Sequence, residues 1–425
     1  MHDACNPIRS TSARMIVKSC KAQVIQPSFP SFMPAERPDF VRAVTMLAPG
    51  ELALREYPWP KLDCGEAIMQ IELSGICGTD KHTYRGETTQ YAGTLSEQSS
   101  PFPLIPGHEN VGIIVETNQA VDFYGKPLQV GDRVTMCPDL VCGKCPACRH
   151  IHGYSWCEHW RGYGNSFRTT EEPLLGGWAE YMRLLPETFV YRVPEDMPAE
   201  LAVMTELMAC TYALDKAKEF STLASEGFVS GASVLIQGAG PLGICHLIKA
   251  RVMGAGWILV SDKSEERLAL ARRFGADTTL DITQHSPEER SDFILANTAG
   301  RGVDLAVECT GEPAAIHDGV AALRRGGMYL LEGLFVDKGS IPFNFHHVVS
   351  KSIRMIGLSN HPFTAYEKSM ELLLRNRERF PFAEFISHRF ALEQAELAME
   401  TALSEKSMKV VFEPSAQPKS APLRQ

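Results

Sequence analysis

The chain has 425 residues, 44% hydrophobic and 22% charged, with 42 basic against 51 acidic side chains and a net charge of −9. That length exceeds one compact core and calls for two or three domains, and the composition excludes a fibrous or mostly disordered chain. The acidic balance speaks against a dedicated nucleic-acid binder, and the absence of any run of about 18 apolar residues speaks against a membrane span.

In chain order, residues 1–37 read as an N-terminal tail. It is rich in Ser, Thr and Pro, and carries Arg9, Arg14, Lys18 and Lys21 against Asp3 and Glu36. A disordered tail or an upstream start is the plain reading, and an organelle transit peptide the sharper one. No apolar secretory core stands near the N-terminus, so a cytoplasmic location is expected. The twelve cysteines are then expected to be reduced, and their clusters read as metal or catalytic chemistry.

Short alternating strands are expected at 41–47, 67–73, 110–117, 133–136, 179–185 and 190–193, separated by turn residues. They describe an antiparallel, barrel-like unit. A helix is expected over 200–218, with Pro198 at its start. From residue 233 strands alternate with amphipathic helices. Strands are expected at 233–237, 257–261, 304–308, 328–331 and 354–357, with helices at 242–253, 265–274 and 314–323. This rhythm predicts an α/β unit, a doubly wound parallel sheet with helices on both faces. Helices at 365–376 and 392–403 and a strand at 409–412 follow, and residues 415–425 read as a tail.

The segment Gly238-Ala239-Gly240-Pro241-Leu242-Gly243 is a G-x-G-x-x-G that follows an apolar strand and opens a helix, the context that gives it meaning. Gly238 permits the tight turn, Gly240 lets backbone approach a pyrophosphate, and Gly243 allows close helix–strand packing. The helix N-terminus offers free N–H groups to the phosphates. Asp262 ends the next strand, where an acid accepts the adenosine ribose hydroxyls and repels a 2′-phosphate. NAD is therefore expected over NADP, although Lys263 and Arg267 stand close enough to meet a phosphate.

Cys142, Cys145, Cys148 and Cys157 fall at C-x2-C-x2-C-x8-C. Four thiolates at this spacing can close a tetrahedron around a structural zinc, with an iron–sulfur cluster and unliganded thiols as alternatives. A second constellation comprises Cys77-Gly78-Thr79-Asp80-Lys81-His82, placed in a loop, and Gly107-His108-Glu109 before a strand. Cysteine, imidazole and carboxylate together suit a zinc with an open position.

These motifs, with Val130-Gly131-Asp132-Arg133-Val134 and Glu308-Cys309-Thr310-Gly311, resemble the zinc-containing medium-chain alcohol and polyol dehydrogenases from about residue 41 to 414. The resemblance implies a GroES-like catalytic domain (38–207 and 358–414) interrupted by a Rossmann cofactor domain (208–357). It implies two zincs per chain. Cys77 and His108 match the catalytic zinc ligands. The third ligand is Glu206, as in the polyol and sugar branch, or Cys210, one turn further on. Glu109 is either a ligand or a neighbour that enters the shell. Thr79 matches the residue contacting the substrate oxygen, His82 the residue passing the proton to solvent, and Thr310 and Gly311 fall at the cofactor. The implied reaction is hydride transfer between a secondary alcohol (polyol, sugar or cyclitol) and NAD, in a homodimer or homotetramer. No nucleic-acid or membrane partner is expected. Two departures stand out. The last quartet spacing is eight residues where seven is usual, and segments 83–103 and 160–177 are longer than usual. Hydrophobic alcohols are an alternative substrate class. The rival reading is a dinucleotide-sensing binder with a cysteine knuckle, supported only by Arg149, His150 and His152.

Overall fold

The computed structural model describes residues 37–150, 156–219 and 228–415. Residues 1–36 and 416–425, which hold the expected tails and transit peptide, lie outside the described residues.

The first half is strand-rich. In order it runs β1 (Phe40–Ala48), β2 (Glu51–Pro58), β3 (Glu66–Gly75), α1 (Gly78–Tyr84), β4 (Thr89–Gln90), β5 (Gln98–Ser99), β6 (Glu109–Asn118), β7 (Arg133–Met136), β8 (Asp139–Leu140), α2 (Pro146–His150), β9 (Arg161–Gly162), β10 (Tyr181–Leu184) and β11 (Val190–Arg192). Three short helices follow: α3 (Ala199–Ala202), α4 (Thr205–Cys210) and α5 (Ala213–Glu219). The second half runs β12 (Ser233–Gln237), α6 (Pro241–Val252), β13 (Trp257–Asp262), α7 (Glu265–Arg273), β14 (Thr278–Asp281), α8 (Pro287–Asn297), β15 (Val303–Glu308), α9 (Ala315–Ala322), β16 (Leu323–Leu331), α10 (His346–Lys351), β17 (Arg354–Gly357), α11 (Ala365–Arg375), β18 (Ile386–Phe390), α12 (Ala395–Leu403) and β19 (Lys409–Phe412).

Two sheets organise the chain. The first has the order β11-β7-β6-β3-β19-β18, with β10 also on β3. Its pairings are antiparallel except β18 with β19, which is parallel. The second has the order β14-β13-β12-β15-β16-β17, all parallel. Renumbered from its own first strand this is 3-2-1-4-5-6, the Rossmann order, with a crevice where the order reverses beside β12. Its central strands read as buried apolar runs, Val234 to Ile236 and Ile258 to Val260, because helices cover both faces. The fold class is thus a GroES-like antiparallel unit with a Rossmann unit.

Two expectations need correction. The helix over 200–218 is three short helices, since the chain turns at Val203–Met204 and again at Thr211–Tyr212. The Thr211 hydroxyl donates to the Met208 carbonyl at 2.7 Å, a back-bond that competes with helix continuation. The breaks let α4 bury Thr205 to Ala209. One apolar cluster joins its Leu207 and Met208 to Ile244 of α6 and Tyr366 of α11. The second correction concerns the Cys77 segment, which is not a loop: from Gly78 onward it is helix α1.

Candidate active site

The glycine turn fits a dinucleotide on three separate counts. Gly238 has φ +95°, a conformation that disfavours side chains. A Cβ on Gly240 would have only Arg267 Nη1 near it, at 4.0 Å, so backbone there is open to a ligand. A Cβ on Gly243 would lie 1.8 Å from the Gly238 carbonyl, so helix and turn pack without it. Asp262 caps this arrangement, accepting from the Ala239 N–H at 2.6 Å and the Ser264 N–H at 2.9 Å. Lys263 pairs instead with Glu405, 2.6 Å away on the exposed surface. Arg267 donates to the Ser407 carbonyl at 3.2 Å. Thr310 and Gly311 are held by their backbone N–H groups on Glu308, at 2.6 and 2.8 Å.

The four quartet cysteines come together with their sulfurs within 4.8 Å of one another. Cys142 and Cys148 are 4.0 Å apart and Cys145 and Cys157 3.9 Å apart. A tetrahedral Zn–S bond of about 2.3 Å requires sulfur–sulfur edges of about 3.8 Å, so the set fits one zinc. An iron–sulfur cube would spread the sulfurs much further. Backbone N–H groups of Cys142, Cys145 and His159 point at the sulfurs from 3.3 Å, a polarity that favours thiolates.

The second constellation assembles around α1. Asp80 accepts from the Cys77 N–H at 2.8 Å and from the Gly107 N–H at 3.2 Å. This buried carboxylate ties the start of α1 to the turn before His108. Gly107 has φ +93°, and a Cβ there would lie 2.3 Å from Trp178. His108 lies close enough to the Cys77 sulfur for the two to act on each other's charge. Burial would push its imidazole down, but Cys77, Asp80 and Glu206 together hold it well above the ordinary histidine range. Its buried Nδ1 has no hydrogen-bond partner among the described residues. A half-buried sulfur beside a buried imidazole with an unmatched nitrogen fits a zinc.

Glu109 is fully buried and ion-paired with the equally buried Lys409 of β19. The absence of a Cβ on Gly75 makes room for that carboxylate. Glu206 accepts from His361 Nε2 at 3.1 Å. Glu206, Cys210 and His361 bring their ligand atoms within 4.8 Å of one another. The Cys210 thiol donates to the Glu206 carbonyl at 3.7 Å. His82 bonds Glu87 through Nδ1, and that bond holds the Glu87 carboxyl below its usual range.

A single cavity of about 340 Å³ collects these parts. Cys77, Thr79, His82, His108, Glu109 and Glu206 line it, and so do Gly240, Pro241, Leu242, Arg267 and Thr310. Asp80, Glu87, His361 and Lys409 contact these side chains, and spacing alone does not assign them. Asp80 lies inside a quoted motif, while His361 and Lys409 have no local signal.

Residues 63–195 match the alcohol dehydrogenase GroES-like domain, and residues 241–375 match the zinc-binding dehydrogenase domain. The chain is 32% identical to an L-threonine 3-dehydrogenase of Thermococcus kodakarensis, over 85% of this chain and 94% of that one. It is 29% identical to a 5-exo-hydroxycamphor dehydrogenase of Pseudomonas putida, over 88% of this chain and 99% of that one. An alcohol dehydrogenase structure from Thermotoga maritima superposes with a TM-score of 0.79 at 31% identity, covering 88% of this chain and all of that one. The chain belongs to the zinc-containing medium-chain alcohol and polyol dehydrogenases. It is an oxidoreductase of the alcohol and polyol dehydrogenase type that uses zinc and a nicotinamide cofactor. Among the described residues no helix is long and apolar enough to cross a membrane.

Proposed function

We propose that this enzyme oxidises a secondary alcohol of the polyol, sugar or cyclitol class with NAD, using a zinc held by Cys77, His108 and Glu206. The observation that carries the reading is the single cavity that joins those donors to the glycine turn. Charge accounting supports Glu206 rather than Glu109 as the third ligand. A Cys77 thiolate and the Glu206 carboxylate neutralise a divalent ion, while Glu109 already has Lys409. Cys210 is occupied with its own helix backbone.

When bound, zinc supplies Lewis acidity at the alcohol oxygen and the nicotinamide accepts the hydride. The chain's own residues handle the proton. The Thr79 hydroxyl, on the cavity wall, takes the hydrogen bond of the substrate hydroxyl. His82, on the same wall with 17% of its side chain exposed, delivers the proton to solvent while Glu87 orients its ring. Asp80 fixes Cys77 and the His108 turn relative to each other.

The quartet holds a second, structural zinc, since four sulfurs leave no open position. Asp262 selects NAD over NADP, and the engagement of Lys263 by Glu405 removes one competing phosphate contact. The return of β18 and β19 to the first sheet supports a catalytic domain of 38–207 and 358–414 around a cofactor domain of 208–357. Exposed Phe345 and Val349, near the edge strand β17, support a homodimer or homotetramer. The ligand set is tested by zinc analysis of two variants. Glu206→Gln is expected to lose one zinc and turnover, and Cys210→Ser to keep both zincs; the reverse pattern would make Cys210 the ligand.

A further inference from the structure

A buried carboxylate–imidazole pair lies outside both the zinc ligands and the proton route. Glu332 follows the C-terminal end of β16 and lines the cavity. His246 lies on α6, the helix that the glycine turn opens. The Glu332 and His246 side chains are 7% and 0% exposed, and His246 Nε2 meets Glu332 Oε2 at 3.0 Å. Glu332 Oε1 and His246 Nδ1 are buried with no hydrogen-bond partner among the described residues. An unmatched Nδ1 disfavours an imidazolium, which would carry a stranded N–H there. The form that fits is the neutral ring donating through Nε2, so Glu332 keeps its negative charge. No lysine or arginine pairs with Glu332 among the described residues.

That charge stands at the end of the cavity where hydride must move. In a sheet of this order a dinucleotide lies across the C-terminal ends of the strands. Anchored at the glycine turn, it must carry its nicotinamide toward the zinc donors, because the hydride passes between that ring and the alcohol carbon. Glu332 acts on residues at both places. Cys309 follows β15 and donates its N–H to the Gln237 carbonyl, beside the glycine turn, at 2.9 Å. Its thiol is pushed up by burial first and by the Glu332 charge next. The Cys210 thiol, on the helix that carries Glu206, is pushed up by burial, then Glu206, then Glu332. The other acids of the cleft have their own partners. Glu109 has Lys409, and Glu206 with Cys77 neutralises the metal, so the charge of Glu332 is left over.

We propose that Glu332, fixed by His246, sets the preference of the enzyme between the two redox states of its cofactor. The oxidised nicotinamide ring carries a positive charge and the reduced ring carries none. A fixed carboxylate in a water-poor cleft attracts the first and is nearly indifferent to the second. The charge acts through space, so neither carboxylate oxygen has to be touched. The enzyme thereby takes up NAD and lets go of NADH more readily than it would with a neutral side chain at this position. Linkage makes the effect reciprocal: bound NAD becomes harder to reduce by the same factor, and a tenfold preference corresponds to about 30 mV in the two-electron potential. The inference rests on the nicotinamide cofactor and on no particular alcohol.

The test measures dissociation constants of NAD, NADH and ADP-ribose by calorimetry in wild type, Glu332→Gln and Glu332→Asp, with zinc content as the check on folding. Glutamine keeps an acceptor for His246 and removes the charge. The ratio of Kd for NAD to Kd for NADH is expected to rise by about 10-fold in Glu332→Gln and to stay within about 2-fold of wild type in Glu332→Asp, which keeps the charge. ADP-ribose lacks the nicotinamide and should bind all three proteins equally. If wild type prefers NADP, the same ratio is read with NADP and NADPH. A ratio unchanged in Glu332→Gln overturns the proposal. So does a ratio that moves equally in Glu332→Asp, or an ADP-ribose affinity that falls as far as that of NAD, since either assigns the effect to packing. A wild type that binds neither cofactor pair overturns the nicotinamide reading itself.

Discussion

Lys409→Met is the sharpest perturbation of the charge arrangement around the site. The Lys409 and Glu109 side chains are 2% and 0% exposed, and Lys409 Nζ also donates to the Ile76 carbonyl at 3.2 Å. Removing one member of such a pair leaves a buried carboxylate uncompensated, at a cost of about 3–5 kcal/mol. For a chain of 425 residues each kcal/mol lowers Tm by roughly 1 °C, so the variant should melt roughly 3–5 °C below wild type. Removing both charges, in Lys409→Met with Glu109→Gln, should recover most of that loss, because a matched neutral pair carries no stranded charge. Near-UV circular dichroism follows the melt, and zinc analysis on the same samples separates stability from metal content. A fall of under about 2 °C in the single variant, with zinc unchanged, would refute the reasoning. It would mean that the metal, and not Lys409, neutralises Glu109.

Three further outcomes are expected. Asp262→Ala should weaken NAD far more than NADP, read as the ratio of kcat/KM for the two cofactors; a wild type that already prefers NADP would contradict it. His82→Gln should lower kcat/KM for alcohol oxidation by roughly 10- to 100-fold near pH 7, with a smaller loss at high pH where hydroxide takes the proton directly; a pH–rate profile parallel to wild type would place His82 outside the relay. Asp304 gives a stability prediction. Burial would raise its carboxyl, but the Ser233 N–H and Arg324 outweigh this and hold it below the ordinary 3.8. A depressed folded value contributes stability above that pH and loses it as pH falls through the folded value. Asp304→Ala should thus cost about 2 kcal/mol at pH 7, with the gap in urea midpoints closing under acid conditions; a gap that persists at low pH would assign the cost to packing.

What was legible in the chain was local. The cysteine quartet, the glycine turn and the Cys77 motif each lie within a short stretch, where spacing alone limits which atoms can meet. The parallel sheet was legible because its strands are continuous apolar runs between amphipathic helices. Contacts across long separations were not. Lys409 meets Glu109, and His361 meets Glu206 across 155 residues, and no pattern in either segment announces the other. Some elements hid for simpler reasons. Strand β2 carries Glu51, Arg55 and Glu56, which interrupt its alternation on an exposed edge. Helix α8 did have a readable start, Ser286 with Pro287 and Glu289 in a capping box, and it is additional to the expected elements together with β14, α10 and β18. The breaks around α4 depend on what its buried face packs against, which the sequence of that segment does not contain.

Zinc stoichiometry in two cysteine variants decides whether Cys77 holds the catalytic metal. Two zincs per wild-type chain are expected. Cys77→Ser should retain one, keep its fold and its NAD binding, and lose nearly all turnover. Cys145→Ser should lose the other zinc and melt at a lower temperature, because a structural metal contributes folding energy. A Cys77→Ser protein that still holds two zincs and still turns over alcohol would contradict the assignment of the catalytic site.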